Sequence, residues 1–283
     1  MSPYLVGLVG TGVGPSLTPA LHMAEARAQG LDYVYRTIDL NAVGVSPERI
    51  GEVLDWARAL GYDALNITHP CKQLVIEHLD DIDDVAAAVG AVNTVVFDGA
   101  RTVGYNTDTT GFALGFAEGL PNAATTNVVM IGAGGAGAAV GDALLRLGAD
   151  HLTVVDVDIE RATALANDLS GRHQEARVDA SESDKVPVLL PGSDGIVHCT
   201  PTGMAEHPGL PFPAELLHPG LWVADIVYRP LDTALLTAAL AAGCRVCDGG
   251  HMAVHQATEA FALITGITPD TERMSRHFRR LVG

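Results

Sequence analysis

The stretch VVMIGAGGAGAAV, residues 128–140, restricts the fold more than any other part of the chain. A short apolar run that reads as a strand is followed by Gly132-x-Gly134-x-x-Gly137, and the glycines open a helical pattern. Glycines at this spacing allow a tight turn and close backbone approach, so a pyrophosphate can rest on the helix N-terminus. A second strand pattern at 151–155 lies at the distance such a unit needs. The chain is therefore expected to be α/β, with helices covering a mostly parallel sheet. Its composition agrees: 48% of residues are apolar and only 5% aromatic, with Ala, Val, Leu and Gly dominant.

Strand and helix patterns alternate along all 283 residues, enough for two ordinary domains. In the first array, strands are predicted at 4–10, 33–40 and 63–68, with helices at 19–30 and 46–61, the latter carrying a Ser cap and Pro at its first position. VNTVVF and TVGYNTD flank Asp98–Gly99 as a hairpin, giving this array an antiparallel edge. After the turn-rich GLPNAATT, further strands are predicted at 127–131, 151–155, 176–179, 194–198, 221–227 and 244–247. Helices at about 250–265 and 270–281 have no strands left to alternate with and are expected to return to the first domain. The division expected is a substrate-binding domain of residues 1–107 and 250–283, and a Rossmann NAD-binding domain of 108–249. The cleft between two such domains is the default ligand site.

A formal charge of −17 with no basic stripe argues against nucleic-acid binding. The N-terminus lacks the basic start and apolar run of a secretory signal, and no stretch is long and apolar enough to span a bilayer. Four cysteines are too few for a disulfide scaffold, so a cytoplasmic location is expected. Cys244 and Cys247 have CxxC spacing, but CRVCDGG reads as a strand, where positions i and i+3 face opposite sides.

Of 17 basic residues only Lys72 and Lys185 are lysine. Lysine, unlike arginine, can give up its proton when its surroundings shift its pKa, which makes Lys72 a candidate for proton chemistry. The same half of the chain offers Ser16 and Thr18 (on one side if their segment is extended), Asn66, Thr68, Asn93 and Asp108. Together they offer hydroxyls, amides, one amine and one carboxylate at strand ends, a set suited to a small polyhydroxylated acid. Each also has a plain role as cap or turn, and Asp108 could simply cap the next helix. In the nucleotide half, the loop Gly132, Ala133, Gly134, Gly135, Ala136 and Gly137 would hold the pyrophosphate. Asp156 or Asp158 would accept from the adenosine ribose and repel a 2′-phosphate. Arg161 is the one base there, so NAD is expected and NADP disfavoured.

These motifs closely resemble the shikimate dehydrogenase family and its quinate/shikimate branch over nearly the whole chain. The likeness covers Ser16 and Thr18, NITHPCK (66–72), GAVNT (90–94), GYNTD (104–108), the glycine loop, CTPTGM (199–204), DIVYRP (225–230) and GGHMAVHQA (249–257). It implies reversible oxidation of the C3 ring hydroxyl of shikimate or quinate to 3-dehydroshikimate or 3-dehydroquinate. Hydride would pass to nicotinamide C4 while Lys72, paired with Asp108, takes the hydroxyl proton. By the same resemblance Ser16, Thr18 and Tyr228 bind the carboxylate, and Asn66, Thr68, Asn93 and Gln256 hold ring hydroxyls. Thr200, Val227, Gly249 and Met252 line the cofactor path, Met252 lying one helical turn before Gln256. The partners implied are small molecules alone, with a monomer or homodimer as the assembly.

Two departures concern specificity. NADP-using members carry Asn-Arg-Thr-x-x-Arg after the second nucleotide strand, where this chain has Asp156-Val157-Asp158-Ile159-Glu160-Arg161; the alignment favours Asp158 as the ribose ligand. Thr18 replaces the serine usual in strict shikimate enzymes. The alternatives are a strict NADP-dependent shikimate dehydrogenase, a catalytically inactive regulatory relative, and a methylenetetrahydrofolate dehydrogenase. The scarcity of aromatics counts against the last, and retention of Lys72 and Asp108 against the second. His251, His255 and Glu259 repeat as metal ligands on a helix might, but the Glu of HExxH is missing.

Overall fold

A computed structural model describes residues 3–283. The chain divides into two compact units, one made of the segment ending at Thr107 together with Gln256–Leu281, the other of Asp108–His255.

The first unit contains β1 (Tyr4–Gly10), α1 (Thr18–Ala28), β2 (Tyr33–Asp39), α2 (Leu40–Val43) and α3 (Ile50–Ala59). There follow β3 (Ala64–Ile67), β4 (Asp81–Ile82), α4 (Asp84–Val89), β5 (Thr94–Asp98) and β6 (Arg101–Tyr105). Its sheet has the order β2-β1-β3-β5-β6-β4. β1 pairs parallel with β2 and β3, and only β5 is reversed, antiparallel to both β3 and β6. The reversal brings the start of β5 to the same edge as the end of β3. The expected antiparallel edge therefore lies one strand further in, because two-residue β4 adds parallel to β6. Two residues carry no periodicity, so β4 leaves no mark on the sequence. The hairpin turns at Gly99–Ala100, with Asp98 opposite Arg101 and Gly99 at a φ of 60°. Ahead of α3, Pro47–Arg49 winds as a 3₁₀ turn, and Ser46 makes no side-chain cap.

β1 and β3 are almost wholly buried, which is why they read as apolar runs without alternation. The main core of this unit gathers Val9, Leu40, Ile50, Val53, Leu54, Leu65, Ile67, Val75, Val92 and Val95. On the other side of the sheet Tyr33 stacks on Phe261, with ring centroids 5.7 Å apart, and His22 meets the edge of Tyr35 at 5.2 Å. Helix α11 (Thr271–Val282) is tied to α1 through buried Glu25. The Glu25 carboxylate accepts from Arg273 Nη2 at 2.6 Å, Arg273 Nε at 2.8 Å and the Asp270 N–H at 2.9 Å.

Helix α5 (Thr107–Gly119) leads into the second unit, which continues with β7 (Asn127–Ile131), α6 (Gly135–Arg146), β8 (His151–Asp156), α7 (Ile159–Arg172) and β9 (Arg177–Glu182). Then come α8 (Val186–Leu189), β10 (Gly195–His198), β11 (Trp222–Asp225), α9 (Ala234–Ala241), β12 (Arg245–Cys247) and α10 (Gly249–Thr265), whose residues from Gln256 onward belong to the first unit. All six strands are parallel, in the order β12-β11-β10-β7-β8-β9. This is the doubly wound arrangement, with its reversal of strand order between β7 and β10. Among the described residues no helix is long and apolar enough to cross a membrane.

Candidate functional site

Open parallel sheets take ligands outside the carboxyl ends of their strands, at the point where strand order reverses. In the second unit that point lies between the ends of β7 and β10. Gly132 follows β7 with φ at 109°, a conformation left to glycine. A Cβ there would lie 2.7 Å from the Cys199 carbonyl oxygen, and one on Gly137 would strike the Gly132 carbonyl oxygen. Gly134 and Gly135 instead face open space, and Gly134 begins α6 without a side-chain cap. The orphan N–H groups of the first turn of α6 therefore open onto room bounded by glycine backbone, with Ala133 and Ala136 adding no bulk. The chain's own residues fit a dinucleotide pyrophosphate there.

Asp156 ends β8 buried, and its carboxylate is already used. Oδ2 accepts the Ala133 N–H at 2.7 Å; Oδ1 accepts the Asp158 N–H at 3.0 Å and Arg161 Nη2 at 2.6 Å. Burial pushes its pKa up, but these donors prevail and hold it below the usual carboxylate range. Asp156 thus braces the glycine loop from beneath. Exposed Asp158 is the N-cap of α7, accepting from the Glu160 and Arg161 N–H groups at 3.1 and 3.3 Å. Val157, between the two acids, is 86% exposed.

Thr200 lies just beyond β10 and Val227 just beyond β11, at the same carboxyl edge. Gly249 follows β12, and its missing Cβ makes room for the Ile226 and Val227 carbonyls, so packing alone requires glycine there. Tyr228 is half-buried after Val227, and Asp108 is buried in the first turn of α5. Met252 and Gln256 are both half-buried on α10.

In the first unit the end of β1, the end of β3 and the start of β5 share one edge. The loop after β1 is joined to that after β3 by the Thr11 N–H donating to the His69 carbonyl at 3.1 Å. Half-buried Thr68 and Lys72 occupy the post-β3 loop, where the Lys72 carbonyl accepts the Val92 N–H at 2.8 Å. Asn66 and Asn93 are buried within a network. Tyr35 Oη donates to Asn66 Oδ1 at 2.6 Å, and Asn66 Nδ2 donates to Thr94 Oγ1 at 2.9 Å. Asn93 Nδ2 donates to Thr107 Oγ1, and Asn93 Oδ1 accepts the Thr107 N–H, both at 2.9 Å. Tyr35, Thr94 and Thr107 are supports that reading the sequence missed. Thr94 and Thr107 lie inside recognised motifs, and Tyr35 fills the inward position of an alternating strand.

Ser16 and Thr18 do not lie on an extended segment. Ser16 ends a turn, Thr18 is the first residue of α1, and its N–H donates to Ser16 Oγ at 3.3 Å. Both hydroxyls remain half-buried at the carboxyl side of β1.

All four cysteines are buried free thiols. Cys244 reaches the His218 carbonyl and Cys247 the Gly115 carbonyl, so the CxxC pair faces different neighbours. His255 pairs with Glu118 at 2.8 Å, while His251 lies 3.4 Å from Asp248. The Asp248 carboxylate and the Cys247 sulfur raise the His251 pKa to about 10. Among the described residues no group of three or more His, Cys, Asp or Glu is arranged to hold a metal ion.

A doubly wound sheet with a glycine loop bounded by open space defines a dinucleotide-dependent α/β protein. Residues 8–95 match the family model for the shikimate dehydrogenase substrate binding domain, and residues 128–206 that for the saccharopine dehydrogenase NADP binding domain. A shikimate dehydrogenase (NADP(+)) of Streptomyces avermitilis is 60% identical over 99% of this chain and 96% of its own length. A quinate/shikimate dehydrogenase (NAD(+)) of Corynebacterium efficiens is 47% identical over 98% of each. The solved quinate dehydrogenase from Corynebacterium glutamicum in complex with NAD superposes with a TM-score of 0.92, at 45% identity, covering 98% of this chain and 99% of that one. The chain belongs to the quinate/shikimate dehydrogenase family, whose members are oxidoreductases acting on a CH–OH group with a nicotinamide dinucleotide.

Proposed function

We propose that this chain is an NAD-dependent dehydrogenase that oxidises a ring hydroxyl of quinate or shikimate, reversibly. The carrying observation is the acidic, self-paired end of β8. Arg161, the one base within reach of an adenosine 2′-phosphate by sequence position, is held 2.6 Å from Asp156. Asp158 adds an exposed negative charge at the start of α7. A 2′-phosphate would meet that charge, and would have to draw Arg161 away from a buried carboxylate. A free ribose 2′-hydroxyl needs only an acceptor, which Asp158 supplies.

The first unit is assigned to the hydroxy acid and the second to the dinucleotide. Bound NAD would supply a hydride acceptor. Gly134 and Gly135, with the start of α6, would seat its pyrophosphate, and Thr200, Val227, Gly249 and Met252 would line its path. Lys72 Nζ would take the hydroxyl proton on oxidation and return it on reduction, with Asp108 as its carboxylate partner. Ser16, Thr18 and Tyr228 would bind the acid's carboxylate, and Asn66, Thr68, Asn93 and Gln256 its hydroxyls. The buried networks of Asn66 and Asn93 support this, since their side chains are preset by protein partners.

A strict NADP-dependent shikimate dehydrogenase is the second reading, favoured by the 60% identical relative of that name. Initial rates with quinate and shikimate, each against NAD and NADP, decide between them. A kcat/KM higher with NAD and measurable with quinate supports the first reading. NADP preference with quinate inert refutes it.

A further inference from the structure

Behind Thr200 and Val227 lies a buried hydrogen-bonded pair that no part of the proposed chemistry uses. His198, the last residue of β10, and Asp225, the last of β11, are buried neighbours in register across the sheet. Their side chains meet at 2.9 Å between Nδ1 and Oδ1. Asp225 Oδ1 also accepts the Val227 N–H at 3.0 Å, and Oδ2 accepts the Thr233 hydroxyl at 2.8 Å. Thr233 Oγ1 in turn accepts the Leu236 N–H at the start of α9. On the far side of the imidazole, Nε2 lies 2.5 Å from Thr200 Oγ1.

The proton directions follow from what each group can do. A carboxylate accepts only, so His198 Nδ1 must carry its proton and donate to Asp225. In a ring that carries only that one proton, Nε2 accepts and Thr200 donates to it. The Thr202 N–H meanwhile donates to Thr200 Oγ1 at 3.3 Å. The single hydroxyl proton of Thr200 is thereby committed inward. What this half-buried residue presents outward is an oxygen lone pair.

We propose that His198, protonated on Nδ1 alone, and Asp225 are positioning residues of the dinucleotide site. They fix Thr200 as a hydrogen-bond acceptor towards a hydroxyl or amide donor of the bound dinucleotide, and hold the adjacent Val227 backbone in place. This rests on the reading that the second unit binds the dinucleotide. It goes beyond that reading in assigning a polarity to Thr200 and a role to two residues that never touch the ligand.

The test is a double-mutant cycle read by titration of NADH and NADPH fluorescence, with thermal unfolding as the control for folding. Thr200→Val keeps the shape and deletes the acceptor; it should weaken dinucleotide binding about fivefold, the worth of one hydrogen bond between uncharged partners. Thr200→Ser should restore most of the loss. His198→Gln should weaken binding by a similar factor alone, and by almost nothing more when added to Thr200→Val. Equal effects of His198→Gln in both backgrounds would mean that His198 acts through the fold, which overturns the proposal. Wild-type affinity in Thr200→Val overturns it whatever the histidine variant does. A wild-type protein that binds neither dinucleotide refutes the site reading itself, a result distinct from both.

Discussion

His22 gives the first unit a pH-dependent weakness whose size follows from its surroundings. The ring is completely buried in α1, with Tyr33, Tyr35 and Phe261 around it. Nδ1 lies 3.1 Å from Tyr33 Oη, and Nε2 has no partner among the described residues. Burial lowers the pKa from 6.5 to about 3, so the folded protein keeps the ring neutral where the unfolded chain would protonate it. Below pH 6.5 the unfolded state then binds more protons, and stability falls as pH falls, levelling off only near the folded value. Between pH 7.5 and 5.5 the loss is RT ln(11/1.1), about 1.4 kcal/mol, and it depends on the folded value only in that it lies well below 5. Tyr33 and Tyr35, pushed upward by burial, do not titrate in this window. His22→Gln leaves a hydrogen-bonding group for Tyr33 and cannot titrate. Urea unfolding of both proteins at both pH values, followed by far-UV circular dichroism, isolates the term as a double difference. The wild type should lose about 1.4 kcal/mol more than the variant on acidification. Equal losses would show that the folded ring accepts a proton at little cost, and the reasoning from burial would fail.

Four further outcomes are expected. Lys72→Met should lower kcat by about 10²–10⁴ while substrate affinity holds within severalfold, and normal turnover would remove Lys72 from the mechanism. Asp158→Asn keeps a good N-cap for α7 but removes the charge, so the NAD-to-NADP ratio of kcat/KM should fall roughly three- to tenfold; no change would place discrimination elsewhere. Gly137→Ala drives a Cβ into the Gly132 carbonyl and should cost about 1–3 kcal/mol of stability and weaken NADH binding; a variant normal in both would show that the loop yields freely. Thr18→Ser keeps the hydroxyl but frees its χ1, and should shift kcat/KM towards shikimate about fivefold, for a hydrogen bond of ~1 kcal/mol. An unchanged quinate-to-shikimate ratio would remove Thr18 from selectivity.

The inner strands of the second sheet, β7, β8, β10 and β11, were legible because burial on both faces makes each an apolar run between helical patterns. Gly132 and Gly137 were legible because no other residue fits where their Cβ positions meet backbone. Asp156 shows where such reading runs out. Its place at a strand end suggested a ribose ligand and gave no sign that a loop 23 residues earlier also draws on one of its oxygens. That contact is tertiary and leaves no local pattern. Similarly, LHMAEARA around His22 reads as an ordinary helix, and only the aromatic cage from β2 and α10 makes its histidine unusual. The Ser16–Thr18 spacing did not carry the local geometry, because a turn and an extended segment can share one sequence.

Glu25 and Arg273 are 248 positions apart along the chain. The second unit is one uninterrupted stretch, whereas the first is assembled from two pieces that flank it. On a ribosome the order of completion is therefore inverted. Residues 108–255 can close their sheet as soon as they emerge, while the segment made first has to wait. Until Arg273 arrives, Glu25 has no guanidinium, and a buried carboxylate without its partner costs about 3–5 kcal/mol. The nascent first segment therefore has reason to keep α1 wet and loosely docked, with Tyr33 still uncovered for want of Phe261. The oldest part of the chain is the last to set: once residues 108–255 have emerged and closed, the first unit still waits for Arg273.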